Sequence, residues 1–280
     1  MAALAAAAAL TLTACGSSST SKAGDLGSCK VYGASGSISI KPVVKDTLTV
    51  QTNLPSPGWW KGTSPDTIDG GYEYCLAANI AHRAGLSRVH VVNASFDALV
   101  AGQTKGYDIA MAQVSITPAR AKVVQFSKPY FDSNVGVLVK KGTSITSDDI
   151  TSKKLGVALG TTSVDFVKNS VKPTTTARVF QDTDAMVTAV ASGQIDAAIQ
   201  DTAIVLGFAK GSSGALDVVG QFQTGEQYGA IYPKGSANAA TMDQAIAAMS
   251  TDGTLAKLSA TWLGPTLGGD PSKVPVLTFK

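Results

Sequence analysis

Leu99-Val100-Ala101-Gly102-Gln103, leading to Tyr107-Asp108-Ile109-Ala110, returns later in the chain as Val190-Ala191-Ser192-Gly193-Gln194, leading to Ile195-Asp196-Ala197-Ala198. Each copy reads as the end of a helix, a glycine just past its last turn, and a strand that carries an aspartate. A repeated unit of this kind points to two lobes of like construction. Outward from the first copy, Thr47-Leu48-Thr49-Val50-Gln51-Thr52 alternates and is β-branched, which predicts a strand. Residues 53–69 are rich in Pro, Gly, Ser and Thr and predict a loop; 73–84 repeat apolar residues at helical spacing and stop at Gly85. A strand over 88–92, a helix over 96–101 and a strand over 107–112 follow. Outward from the second copy, strands are predicted over 154–158 and 195–199 and helices over 163–169 and 184–191. Alternating strands and helices imply parallel βαβ units with right-handed crossovers, an α/β fold.

Two further apolar runs, Val135-Gly136-Val137-Leu138-Val139 and Tyr228-Gly229-Ala230-Ile231-Tyr232, read as crossings between the lobes. Lobe 1 is then expected over residues 46–138 and 229–264, and lobe 2 over 139–228. Helical spacing over 242–249 and 255–262 adds two helices to lobe 1, with Met242 and Met249 on the core face, and the Pro- and Gly-rich end, 265–280, reads as a surface-hugging tail. With 280 residues, 44% of them hydrophobic and 15% charged, the chain has ample material for a core and is not disordered. Lys and Arg total 23 against 20 for Asp and Glu, too balanced for a groove that neutralises many phosphates, so nucleic acid is not an expected partner. Two His and three Cys without paired spacing give no metal site, and no cofactor is expected.

Residues 2–13 are small or apolar and uncharged, shorter than the roughly 20 residues that span a bilayer, and read as an export signal, although no basic residue precedes them. They end in Leu12-Thr13-Ala14-Cys15, which resembles the lipobox of bacterial lipoproteins, whose cysteine accepts a diacylglyceryl thioether. The expected layout is a signal peptide over 1–14, lipidation at Cys15, and a tether and N-terminal extension over 15–45, begun by the flexible run Gly16-Ser17-Ser18-Ser19-Thr20-Ser21. In an oxidising compartment the remaining Cys29 and Cys75 are expected to pair, the alternative being two separate buried thiols. A bridge would close a loop of roughly 45 residues, worth about 3 to 4 kcal/mol on the chain-entropy estimate.

The stretch Gln113-Val114-Ser115-Ile116-Thr117-Pro118-Ala119-Arg120 follows directly on a predicted strand. Thr117 suits an N-cap and Pro118 the first helical position, which places Arg120 in the first turn of a helix. A cation there opposes the helix dipole. Arg120 is therefore either a solvated surface charge or the partner of a ligand carboxylate, gripped by a two-pronged hydrogen bond beside free backbone N–H groups. In the second lobe Leu159-Gly160-Thr161-Thr162-Ser163 joins strand to helix, and Thr162 with Asp165 resembles a capping box as well as an anion site. Asp201, just past a strand, lies where ligands collect in open α/β sheets; it either meets a ligand ammonium or caps the next segment. Glu226 falls near the second crossing, within reach of a pocket rim, while His82 and His90 read as structural or solvent-facing.

Gly71-Tyr72-Glu73-Tyr74-Cys75-Leu76-Ala77, Ser115-Ile116-Thr117-Pro118-Ala119-Arg120-Ala121, Phe126-Ser127-Lys128-Pro129-Tyr130, Leu159-Gly160-Thr161-Thr162-Ser163, Tyr228-Gly229-Ala230, and Asp252-Gly253-Thr254-Leu255-Ala256-Lys257-Leu258 with Trp262-Leu263-Gly264 together resemble the extracellular solute-binding protein family 3, the polar amino-acid receptors of bacterial transporters. The matches fall in the family's order over about residues 46–264. The resemblance implies a type II periplasmic-binding-protein-like fold, two α/β lobes joined by two hinge strands with a ligand cleft between them. It implies that Arg120 grips an α-carboxylate with help from Ser115 and, across the cleft, Thr162. Asp201 and the carbonyl of Gln113 would hold the α-ammonium, and Asn53 and Phe96 would face the ligand side chain. Trp59 and Trp60 lie in the same variable loop, and at least one is expected to line the cleft or else to pack within the lobe. The family often has acids where Asn53 and Cys75 stand here, which weakens the case for a basic ligand side chain.

The implied action is capture by closure, in which a zwitterion that touches both lobes favours the closed form. The expected partners are an amino acid, the permease and ATPase of an ABC importer, and, through Cys15, the membrane's outer face or the periplasm; the chain is expected to be a monomer and not an enzyme. Two other readings compete. Cyclohexadienyl dehydratases share the fold, but their elimination needs an acid in the cleft, for which Glu226 is the spare carboxyl. A ligand-sensing module acting in trans is the second.

Overall fold

A computed structural model describes residues 26–278. The first half of the repeat builds β1 (Thr47–Thr52), α1 (Tyr72–Arg83), β2 (Arg88–Asn93), α2 (Phe96–Val100), β3 (Ile109–Ala110) and the one-turn α3 (Pro118–Ala121). The long β4 (Gln125–Lys140) then leads to β5 (Leu155–Ala158), α4 (Thr162–Phe166), β6 (Arg178–Phe180), α5 (Thr183–Ala191), β7 (Ala197–Asp201) and α6 (Thr202–Gly211). An equally long β8 (Leu216–Tyr232) returns antiparallel to β4 and is followed by α7 (Ala239–Thr251) and α8 (Thr254–Leu267).

The strands form one sheet in the order β2-β1-β3-β8-β4-β7-β5-β6. β1 is parallel to β2 and β3, as β5 is to β6 and β7, and each trio is bordered by one long antiparallel strand. Both halves are thus built alike, which accounts for the echo in the sequence. The aspartate of each copy has the same job: Asp108 accepts the backbone N–H of Thr49 at 2.8 Å, and Asp196 that of Lys154 at 2.7 Å, each beside the central parallel strand. Asp108 also holds Val43 N–H at 2.8 Å, and β3 keeps two residues where six were expected.

The apolar runs expected as crossings are core strands. Val135, Val137 and Val139 pack with Val157 and Ile199 in lobe 2, whereas Tyr228, Ala230 and Tyr232 pack with Leu48, Leu76 and Met242 in lobe 1. The chain crosses on the more polar residues 132–134 and 223–227, which belong to neither apolar core. The C-terminal end differs as well. α8 runs on to Leu267, and residues 270–278 pass from lobe 1 to the rear of lobe 2. There Gln221 N–H donates to the Pro275 carbonyl at 2.8 Å, Leu277 N–H donates to the Gln221 carbonyl at 2.7 Å, and Leu277 joins the lobe 2 core. A third passage therefore ties the lobes together.

The extension ahead of β1 is irregular and lies against α1. Cys29 and Cys75 are bridged with Cα atoms 5.3 Å apart, and Asn79 accepts Tyr32 N–H at 2.7 Å. His82 Nε2 lies 3.1 Å from the Gly33 carbonyl oxygen, a structural contact. The expected signal peptide and the lipidation residue Cys15 lie outside the described residues. No helix among the described residues is long and apolar enough to cross a membrane.

Candidate functional site

The carboxyl ends of the parallel strands in both lobes open onto one cleft, the position at which α/β sheets bind ligands. Lobe 1 contributes Asn53 and Ser56 from the loop after β1, Gln113 and Ser115 after β3, and Phe96 and Arg120 from the short helices. Facing them are Thr162 after β5, Gln200 and Asp201 at the end of β7, and Ile204 and Phe208 of α6. The space between, open in part to solvent, is about 580 Å³. Seven of the nine candidate ligand-binding positions, Asn53, Phe96, Gln113, Ser115, Arg120, Thr162 and Asp201, meet here.

Arg120 sits in the turn that its local sequence favours. Thr117 is the N-cap, its Oγ1 accepts Arg120 N–H at 3.2 Å, and Pro118 opens the helix. The guanidinium is not a solvated surface charge: the residue is 8% exposed. It donates to the Ser115 carbonyl at 2.7 Å and, across the cleft, to the Gly160 carbonyl at 2.9 Å, and it lies 5.5 Å above the Phe96 ring. No ion pair to Arg120 occurs among the described residues. Burial lowers its pKa, opposed by the fields of Asp201 and Glu226.

Asp201, 4% exposed, accepts the Tyr228 hydroxyl at 2.6 Å and the Ser133 hydroxyl at 3.2 Å. Burial first, then the nearby Glu226 carboxylate, pushes its pKa from 3.8 up to about 7; the two hydroxyls and Arg120 pull the other way. The side chain of Asp201 caps no helix. The expected Thr162 and Asp165 box does not form either. Thr161 is the N-cap and turns its hydroxyl back to the Ala158 carbonyl at 2.8 Å, which leaves the Thr162 hydroxyl to donate to Glu226 at 2.8 Å. Glu226 thus joins the rim of the cleft from the crossing segment.

Trp59 and Trp60, candidates for the cleft, pack within lobe 1 instead. Each is 1% exposed and neither lines the cleft. Trp59 packs edge-on against Tyr72, Phe131 and Tyr228, with ring centroids 5.4, 4.9 and 5.5 Å away. Trp60 donates its indole N–H to Glu73 at 2.8 Å. They are held inward because Gly71, at φ 109°, lets the backbone of α1 pass directly beneath them; a Cβ there would lie 2.3 Å from the Trp59 carbonyl oxygen. Ser56, Gln200, Ile204 and Phe208 line the cleft without having been singled out in the sequence. Their residue types are ordinary loop, strand and helix choices. Among the described residues no group of three His, Cys, Asp or Glu side chains is placed to hold a metal.

Known proteins resemble this chain in sequence and fold. The chain is 32% identical over 199 residues to the L-cystine-binding protein TcyJ of Escherichia coli (strain K12), covering 69% of this chain and 74% of that protein. The ABC transporter arginine-binding protein 1 of the same strain is 30% identical over 177 residues, covering 61% and 72%. Among solved structures, an ancestral arginine-binding protein bound to glutamine superposes with a TM-score of 0.70 at 30% identity, covering 79% of this chain and 99% of that one. A family model spans residues 62–265, from the loop after β1 to the last helix, and so takes in nearly every cleft residue named above. Two like lobes around a shared cleft, and that match across most of the chain, place it in family 3 of the bacterial extracellular solute-binding proteins.

Proposed function

We propose that the chain is the substrate-binding component of an ABC importer and that it captures a free amino acid between its lobes. One observation carries the reading: a buried guanidinium in lobe 1, without an ionic partner among the described residues, and a buried carboxylate in lobe 2 face one cleft. A zwitterion matches both. Its carboxylate meets Arg120, near Ser115 and Thr162, and its ammonium meets Asp201 and the Gln113 carbonyl, with Asn53 and Phe96 toward the side chain. Two charge-assisted contacts at about 1.5 to 3 kcal/mol each supply much of the roughly 8 kcal/mol that micromolar affinity requires. A ligand that bridges the lobes stabilises the closed form, the shape a permease would then recognise.

The relatives' names support this reading over a dehydratase, since those proteins are named for binding cystine and arginine. The finer proposal is an export signal over 1–14, a lipid anchor on Cys15 that holds a monomeric receptor at the outer membrane face, and hand-over to the importer's permease and ATPase. The test is a thermal-shift panel of the twenty common amino acids. A ligand at a thousand times its dissociation constant adds about 4 kcal/mol. We expect a large shift with a few amino acids, abolished by Arg120→Ala; a variant that keeps the shift places the carboxylate elsewhere.

A further inference from the structure

Glu73, in the first turn of α1, is 0% exposed and forms no ion pair among the described residues. Its two oxygens instead take four donors. Oε1 accepts the backbone N–H of Gln113 at 2.8 Å and the Tyr130 hydroxyl. Oε2 accepts the Trp60 indole N–H at 2.8 Å and the side-chain amide of Gln113. An apolar residue here would leave four buried donors unpaired, so the position calls for an acceptor with several lone pairs. What the carboxylate does is orient. Burial raises the Glu73 pKa while these four hydrogen bonds lower it; in the ionised form Glu73 is the acceptor throughout, because indole and backbone N–H groups only donate, and Gln113 turns its NH₂ toward it. The other end of that amide, Oε1, then accepts the Ser56 hydroxyl at 2.7 Å. Ser56 lines the cleft, and with its proton committed to Gln113 it offers only lone pairs to a ligand. Gln113 itself sits at φ 52°, a left-handed conformation uncommon for a non-glycine residue, with its backbone N–H on Glu73.

We propose that Glu73 is a positioning residue for specificity: acting through Gln113, it fixes Ser56 as a hydrogen-bond acceptor facing the cleft, so that the chain selects amino acids whose side chain carries an N–H or O–H donor. This rests on the amino-acid-binding reading above, in which Arg120 and Asp201 take the two charged ends and leave Ser56 for the side chain.

The full chain is titrated calorimetrically with the twenty common L-amino acids and norleucine, followed by Glu73→Gln, Ser56→Ala and the exchange Glu73→Gln with Gln113→Glu. The wild type should bind its best donor-bearing ligand at least tenfold more tightly than norleucine or glutamate. Ser56→Ala and Glu73→Gln should each compress that ratio to within about threefold, the second because a side-chain amide at position 73 reverses Gln113. The exchange, which restores an acceptor for Ser56 at position 113, should recover most of the ratio, a rescue that a merely structural role does not give. A wild type whose tightest ligand is leucine, methionine, norleucine or glutamate overturns the proposal and leaves the receptor reading intact. So does an unchanged ratio in Ser56→Ala, which keeps the proposal testable if Glu73→Gln fails to fold. A wild type that binds no amino acid takes down both.

Discussion

Asp201→Asn should raise the stability of the protein and lower its affinity at the same time. Its carboxyl titrates near 7 in the folded protein against 3.8 in the unfolded chain. Below about pH 4 both states hold the proton. As the pH rises toward 7 the unfolded chain releases it first, so stability is lost over that window, by about 1.4 kcal/mol per unit and roughly 4 kcal/mol in all. Between pH 5 and 8 about 3 kcal/mol of this is traversed. An asparagine keeps an acceptor oxygen for Tyr228 and Ser133 but cannot ionise, so the variant should lack that part of the slope. Melting is followed by circular dichroism at half-unit pH steps without added ligand. At 2 to 4 °C per kcal/mol, the excess of the variant's melting temperature over the wild type's should grow by roughly 6 to 12 °C between pH 5 and pH 8. Groups remote from Asp201 cancel in the difference. With the best amino-acid ligand present the gap at pH 8 narrows by about 1.5 to 3 kcal/mol, because loss of a charged partner for the ammonium weakens binding by about 10- to 150-fold. Parallel slopes for the two proteins between pH 5 and 8, or a lower melting temperature for the variant at pH 8, would refute the assignment of Asp201 as the buried acid.

Two other outcomes are expected. Trp59→Ala removes a side chain packed edge-on against three aromatic rings and should cost about 3 to 5 kcal/mol in urea unfolding, while the rank order of ligands stays as in the wild type, since Trp59 does not line the cleft. A changed rank order would return it to the site. Cys29→Ser opens a loop with a sequence separation of 46 and should lower stability by about 4 kcal/mol, with a matching fall in melting temperature on treatment of the wild type with reductant. No response to reductant would argue for separate thiols.

Much of the site was legible because local chemistry determines it. The Thr117, Pro118 and Arg120 turn follows from capping preferences that act within four residues, and Asp201 follows from its place at a strand end. The Trp pair misled for an equally physical reason: a loop rich in Pro, Gly and Ser looks exposed, yet it folds inward beneath α1 at Gly71. Glu73 drew no notice as a functional residue. An acid in the first turn of a helix is ordinary, and only long-range packing brings Trp60, Gln113 and Tyr130 to it.

Sequence by itself determined the alternation of strands and helices, the duplication of the half-sheet, and the presence of a cation and an acid at strand ends in separate halves. These follow from side-chain periodicity, turn chemistry and caps, interactions that reach only a few residues along the chain. The tertiary structure decided where the chain passes between the lobes and that its end ties them a third time. It also set which aromatics are core and which way each hydrogen bond around Gln113 runs. Those outcomes depend on which surfaces are excluded from water and on which buried donors find which acceptors, and residues far apart in sequence settle both together.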